Sequence, residues 1–262
     1  MSNAGNHGRY VWHELMTSDL AAAEKFYAHV MGWVAAPWQS DEMPGVYTLC
    51  MAGETPVAGI MAMSAQTSAP GSVPSWLAYV EVDDIDTTVD QALSLGAEVV
   101  VPARTVPSVG RFAALKDPQG TVFGAITSET QLPPETDPEA LGFSWHELAT
   151  TDWQAASEFY SAIFGWKKQS EFDMGDMGKY YMYGRDRFTY GGMMNKMPGD
   201  DTPARWVHYV QVADSADAAA GRATAAGATL VVGPMEVPGG DRVAVLIDPQ
   251  GAGFAVHSKP AK

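Results

Sequence analysis

Cysteine is almost missing. Cys50 is the single thiol among 262 residues, which excludes an intrachain disulfide and any cysteine-based zinc cluster. Basic charge is also scarce: 16 Lys and Arg face 31 Asp and Glu, a formal net charge of −15. Affinity for nucleic acid comes largely from Lys and Arg neutralising phosphates, so this balance argues against such a partner and favours a neutral or cationic small molecule. No apolar run reaches the roughly 18 residues that a membrane helix needs, and no signal-peptide pattern is present. A cytoplasmic chain with no membrane partner is therefore expected. The sequence also lacks a phosphate loop, a G-x-S-x-G elbow and a G-x-G-x-x-G turn. No cofactor is indicated by any motif.

What is present is a globular composition, 46% hydrophobic and 18% charged, in a length that suits one or two domains. An internal repeat decides for two. Trp12-His13-Glu14-Leu15-Met16-Thr17-Ser18-Asp19, with Phe26-Tyr27 and Gly32-Trp33 beyond it, returns as Trp145-His146-Glu147-Leu148-Ala149-Thr150-Thr151-Asp152, with Phe159-Tyr160 and Gly165-Trp166. Trp76-x-x-Tyr79-Val80 returns as Trp206-x-x-Tyr209-Val210, and Asp117-Pro118-Gln119-Gly120 as Asp248-Pro249-Gln250-Gly251. Several blocks in the same order mean duplication of a whole domain, here 8–128 and 141–258. Between them, 129–140 carries Pro133, Pro134 and Pro138 among acids and reads as an exposed linker.

Within a copy, strand and helix periodicities alternate. Tyr10–Met16 is short and β-prone, and Ser18 or Asp19 offers an N-cap for a helix to about Met31. Ala23, Phe26, Tyr27 and Val30 follow the i, i+3, i+4, i+7 rule, and Gly32 suits the end of that helix. Strand-like pieces follow near Val46–Met51 and Pro56–Met63, then a Pro/Ser-rich connection over Ser64–Ser75. Trp76–Val82 starts a second round, with a helix from about Asp86 to Leu95 and strands near Val99, Arg111–Leu115 and Thr121–Ile126. Each half thus reads β-α-β-β-β twice, an α+β fold of four βαβββ modules.

These blocks resemble the vicinal oxygen chelate superfamily: glyoxalase I, bleomycin-resistance proteins and extradiol dioxygenases. The carriers, in both halves, are T-x-D-x-x-A-x-x-x-F-Y-x-x-x-x-G-W after a strand, the strand entering V-x-V-x-D with its helix ending L-G-A in the first copy and A-G-A in the second, and the D-P-x-G hairpin. The resemblance implies tandem glyoxalase/bleomycin-resistance-type domains whose curved mixed sheets enclose a small-molecule cleft. It also implies a divalent metal held by His and Glu or Asp on particular strands. Those positions fall here on Trp12, the neighbourhood of Gly59, Leu77 and Gly124, and again on Trp145, Gly192, Val207 and Ala255. All are apolar, so a member without the usual metal is expected.

Strand alternation puts Trp12 and Glu14, with Trp145 and Glu147, on the face of the missing ligand, and His13 and His146 on the opposite face as core histidines. Glu14 and Glu147, among Trp, Tyr and Met, have three open readings: general base, ligand contact, or hydrogen-bond partner of Tyr79 or Tyr209. Tyr79 and Tyr209 offer hydroxyls to a ligand or simply pack. Arg111 and Arg242 can meet an anionic ligand group or an acidic neighbour of the other module, and His257 has cleft parity near the end of the second copy.

Three functions stay open at this point. One is a metal-independent binder of an apolar or aromatic small molecule. Another is a lyase, isomerase or hydroxylase-like enzyme working through Glu14 or Glu147, or through a displaced metal site. The third is a partner-binding role on the same scaffold. With four modules already in one chain, a monomer or a homodimer is expected.

Overall fold

The computed structural model describes residues 5–40, 43–63 and 72–260. The first module runs β1 (Tyr10–Thr17), α1 (Leu20–Met31), β2 (Val34–Ser40), β3 (Met43–Ala52) and β4 (Thr55–Ala62). The second is β5 (Ser75–Glu81), α2 (Ile85–Ser94), β6 (Glu98–Val106), β7 (Gly110–Lys116) and β8 (Val122–Ser128). The second copy repeats the order with β9 (Phe143–Thr150), α3 (Trp153–Phe164), β10 (Lys167–Asp173), β11 (Lys179–Arg185) and β12 (Phe188–Asn195). It ends with β13 (Arg205–Gln211), α4 (Ala216–Ala225), β14 (Thr229–Glu236), β15 (Arg242–Ile247) and β16 (Gly253–Ser258). The strand β2, which carries Pro37 and no alternating pattern, is one that periodicity leaves unmarked. Most of the expected Ser64–Ser75 connection lies outside the described residues.

Two eight-stranded mixed sheets result, ordered β2-β3-β4-β1-β5-β8-β7-β6 and β10-β11-β12-β9-β13-β16-β15-β14. Each sheet uses one copy of the repeat. Among the described residues no helix is long and apolar enough to cross a membrane.

The helices begin and end where the chemistry predicts. The Asp19 carboxylate accepts from the Ala22 N–H at 3.0 Å, and the same cap recurs as Asp152 to Ala155 at 3.1 Å. Gly32 and Gly165 close α1 and α3 in the left-handed conformation, φ 81° and 68°, where a side chain would be strained. The buried faces of α1 and α3 are Ala23, Phe26, Tyr27 and Val30, and Ala156, Phe159, Tyr160 and Ile163.

The sheets follow the repeats, but the compact units do not. One unit, inner in sequence, gathers 1–11, 77–137 and 145–206; the other, outer in sequence, gathers 12–76, 138–144 and 207–262. Each therefore takes one module from each copy and has its own core. In the outer unit Phe26, Tyr27, Val30 and Trp33 pack with Val210, Ala219, Leu246 and Phe254. In the inner unit Val80, Leu115 and Phe123 pack with Phe159, Tyr160, Phe164 and Tyr183.

The recurring motifs hold these units together. In the outer unit Tyr27 Oη donates to Asp248 Oδ2 at 3.0 Å and accepts from Trp76 Nε1 at 2.9 Å. In the inner unit Tyr160 Oη donates to Asp117 Oδ2 at 2.9 Å and accepts from Trp206 Nε1 at 3.1 Å. Each Asp also binds its own D-P-Q-G turn: Asp117 Oδ1 accepts from Gln119 and Thr121 N–H groups, and Asp248 Oδ1 from Gln250 and Ala252. The turn glutamine reaches the opposite copy's helix start. Gln250 Oε1 accepts from the Thr17 hydroxyl and, at 2.7 Å, from the Asp19 N–H, while its Nε2 donates to the Asp19 carbonyl at 2.9 Å. Gln119 Oε1 likewise accepts from the Thr150 hydroxyl, and its Nε2 donates to the Asp152 carbonyl at 2.8 Å. Finally, Trp33 Nε1 donates to the Leu141 carbonyl at 2.8 Å and Trp166 Nε1 to the Gly8 carbonyl at 2.7 Å.

The segment read as an exposed linker is tied down at several points: the Glu129 carboxylate accepts from the Ser108 N–H at 2.7 Å, the Pro133 carbonyl accepts from Arg9 Nη1 at 2.6 Å, and Glu135 makes the most sheltered contact. Glu135, with its side chain 11% exposed, accepts from Arg185 Nη2 at 2.8 Å and from the Tyr190 hydroxyl at 2.7 Å. A carboxylate that meets both a guanidinium and a phenol stays ordered despite the surrounding prolines.

Candidate functional site

In the inner unit the third module builds an aromatic and acidic cluster. Trp145 and Glu147 alternate on β9 and share a face, and Glu147 lies opposite Gly192 of β12 in the parallel ladder. Tyr180 of β11 covers Gly192; a Cβ there would collide with the phenol ring. Trp145 Nε1 donates to Tyr180 Oη at 2.8 Å, and Tyr180 Oη donates to Glu147 Oε2 at 2.8 Å. The chain indole, phenol, carboxylate is therefore fixed in direction, because the indole can only donate and the ionised carboxylate only accept.

The first module repeats the pattern in the outer unit. Trp12 Nε1 donates to Tyr47 Oη at 2.8 Å, Glu14 pairs with Gly59 across β1 and β4, and Tyr47 lies over Gly59. Trp38 meets the Tyr47 ring edge-on, centroids 5.6 Å apart. Tyr47 and Tyr180 were not among the residues that sequence reasoning selected. Their signal was available: both pairs, Tyr47/Tyr180 and Gly59/Gly192, have the same offset of 133 as the Trp-His-Glu-Leu block.

The other candidates are dispersed. Tyr79 lies over Gly124 and meets Phe112 edge-on at 5.8 Å, with Arg104 over the far ring at 4.9 Å. Tyr209 stands opposite Ala255 in the ladder and is buried. Arg111 binds both oxygens of Asp86 at 3.0 and 2.8 Å, and Arg242 both oxygens of Asp217 at 2.6 and 2.8 Å. Both guanidiniums thus fasten a strand to the start of their own module's helix. His257 sits between Ser144 and Asp241.

The histidines lie among aromatic side chains. In the outer unit His13 stacks on Phe143, centroids 3.7 Å apart and planes within 7°, and meets His208 edge-on at 5.5 Å. Burial pushes the His13 pKa well down, with a further contribution from His208, and burial pushes His208 down to about 3. In the inner unit His146 lies against Tyr10 at 3.7 Å. Tyr10 and Phe143 are themselves repeat counterparts, so each unit makes the same contact with opposite members. His208 has no counterpart in the first copy, where Ala78 stands, and the repeat gave no hint of it.

At the positions where the resemblance places metal ligands, the side chains are unsuited to a cation. An indole has no lone pair to donate, Leu77, Val207 and Ala255 have no heteroatom, and Gly59, Gly124 and Gly192 lie under the rings of Tyr47, Tyr79 and Tyr180. The residues do not fit the family's ion at those positions.

With this geometry, the comparison to known proteins places the class. The family model of the Glyoxalase/Bleomycin resistance protein/Dioxygenase superfamily matches residues 9–124 and 142–256, and the chain belongs to that superfamily. A Mycobacterium tuberculosis protein named CFP32, a candidate glyoxylase by its name, is 34% identical over 254 residues, covering 95% of this chain and 94% of its own. The anthracycline biosynthesis protein DnrV of Streptomyces peucetius is 29% identical over 259 residues, covering 95% and 92%. Among solved structures, the 2,3-dioxygenase LapB from Pseudomonas sp. KL28 shares the fold at TM-score 0.65 and 12% identity, with 97% of this chain and 92% of that one covered. A Mn(II)-bound glyoxalase from Novosphingobium aromaticivorans aligns at TM-score 0.62 and 14% identity, covering 98% and 83%.

Proposed function

We propose that the protein binds a planar aromatic small molecule, without the divalent ion of its superfamily, on the Trp-Tyr-Glu faces of its first and third modules. The observation that carries this reading is the Trp145, Tyr180, Glu147 chain with Tyr180 laid over Gly192, and Trp12 bonded to Tyr47, which lies likewise over Gly59. Indole and phenol supply stacking area, and the carboxylate supplies an acceptor for an N–H, O–H or cationic group. The net charge of −15 favours a neutral or cationic ligand. The name of DnrV agrees with an aromatic ligand, since anthracyclines are fused-ring compounds. The protein acts here as a monomer or homodimer toward a small molecule, with neither nucleic acid nor membrane involved.

Isothermal titration with planar fused-ring compounds tests the proposal. Saturable binding that weakens by about tenfold or more in Trp145→Ala, at unchanged folding, is expected. Binding by none of a broad aromatic panel would remove it. A second reading, turnover of a small carbonyl substrate by Glu147 or Glu14, draws on the name of CFP32. It predicts metal-stimulated or metal-free conversion of a glutathione hemithioacetal, measured directly by absorbance.

A further inference from the structure

The outer unit contains a hydrogen-bonded Ser-His-Asp set that the aromatic faces do not use. Ser144 Oγ lies 2.9 Å from His257 Nδ1, and His257 Nε2 lies 2.8 Å from Asp241 Oδ2. Asp241 settles the tautomer: a carboxylate at that distance takes a proton from Nε2, which leaves Nδ1 with its lone pair facing Ser144. The serine hydroxyl therefore donates to the ring. Its other acceptor, the Tyr209 carbonyl, is farther away at 3.4 Å. His257 is 12% exposed and Asp241 35%, so the set is partly sheltered yet reachable from solvent.

The fold does not require these three residues. Their counterparts in the first copy are Val11, Gly110 and Ile126, none with a polar side chain, although the same strands are formed there. The strand register explains how distant residues meet. His257 of β16 pairs with Val243 of β15 and Gln211 of β13, and the Gly142 carbonyl accepts from the Gln211 N–H at 2.9 Å, which brings Ser144 alongside.

We propose that Ser144 is a base-activated nucleophile that makes the second copy a metal-free acyl-transfer site, with small uncharged esters as the substrate class. Ser144 Oγ adds to the ester carbonyl carbon as its proton passes to His257 Nδ1. The imidazolium, held by Asp241, gives that proton to the departing alkoxide as the carbon–oxygen bond breaks. Water then attacks the acyl-serine, its proton returns through His257, and a carboxylic acid leaves with the serine restored. The two ring nitrogens have exchanged their usual partners, since Nδ1 rather than Nε2 meets the serine; the proton balance is the same. The acidity of the chain disfavours anionic esters.

The test is covalent labelling of the intact protein with diisopropyl fluorophosphate, with the site mapped by peptide mass spectrometry. An adduct on Ser144 is expected, formed at least about tenfold more slowly in His257→Gln at unchanged melting temperature, and more slowly in Asp241→Asn. Hydrolysis of p-nitrophenyl acetate should fall to the background rate in Ser144→Ala. Ser144→Cys supplies an independent readout: its iodoacetamide alkylation should titrate below the ordinary thiol range and return to that range in the Ser144→Cys, His257→Gln double variant. Cys50 gives no background there, because burial pushes its thiol up to about 12. Absence of any Ser144 adduct, or labelling that His257→Gln leaves unchanged, overturns the proposal, and neither result bears on ligand binding at Trp145 and Tyr180.

Discussion

Tyr180 is the residue on which the aromatic face of the third module turns. Its hydroxyl both receives the Trp145 indole proton and donates to Glu147, so removing one oxygen atom breaks two hydrogen bonds and leaves the ring in place. Tyr180→Phe should therefore weaken ligand binding with a stability loss of only about 1–2 kcal/mol, measured by titration alongside urea denaturation. Gly192→Ala acts differently. The added methyl has no room beneath the phenol, and either the ring is displaced or the strand shifts; a loss of about 1–3 kcal/mol together with loss of binding is expected. His208 and His13 permit a further prediction at this scale. Both are buried with pKa values held below 6.5, so the unfolded chain takes up protons that the folded protein refuses. Stability from these groups is present above the unfolded pKa and is lost as pH falls, for His208 over the window from about 6.5 down to about 3. The slope is about 1.4 kcal/mol per pH unit for each histidine. Denaturant midpoints at pH 7 and pH 5 should differ in the parent and differ less in His208→Gln.

At the scale of the element, the D-P-Q-G turn does more than reverse the chain. Gln250 takes the donors that α1 exposes at its start and also grips the Asp19 carbonyl. Gln250→Ala should cost about 1–2 kcal/mol, most of it from unsatisfied groups at the helix N-terminus. Gln119→Ala should cost a similar amount through α3. Thermal melts of both single variants and the double variant check this, and the two losses should add because the two glutamines share no hydrogen-bond partner. The turn motif was legible in the sequence; its partner was not. Asp-Pro predicts a turn from local conformational preference, whereas the contact between Gln250 and Thr17 joins residues 233 apart, and no local propensity encodes it.

For the whole molecule, the crossing of modules between copies sets what can fold alone. Residues 8–128 form one complete sheet by themselves, yet the apolar face of α1 is covered by Val210, Ala219 and Phe254 from the other copy. An isolated half would leave that face in water. Expressed alone, 8–128 should pair with a second copy of itself or aggregate, while the full chain stays folded as it is diluted. Light scattering with circular dichroism across a concentration series distinguishes these outcomes.

Taken by itself, the sequence determined the duplication, the β-α-β-β-β order, the start of the first helix to within Ser18 or Asp19, and the face that Trp12 shares with Glu14 and Trp145 with Glu147. These follow from periodicity and short-range chemistry, which act between residues a few positions apart. Tertiary structure alone decided the rest. It placed Tyr47 and Tyr180 over glycines, gave Arg111 and Arg242 to Asp86 and Asp217, set His257 between Ser144 and Asp241, and exchanged modules between the two copies. The physical reason is that two copies with near-identical faces can bury those faces against themselves or against each other, and local pattern is the same in both cases. Only the packing of complete side chains, with Tyr27 on Asp248 and Tyr160 on Asp117, selects between them.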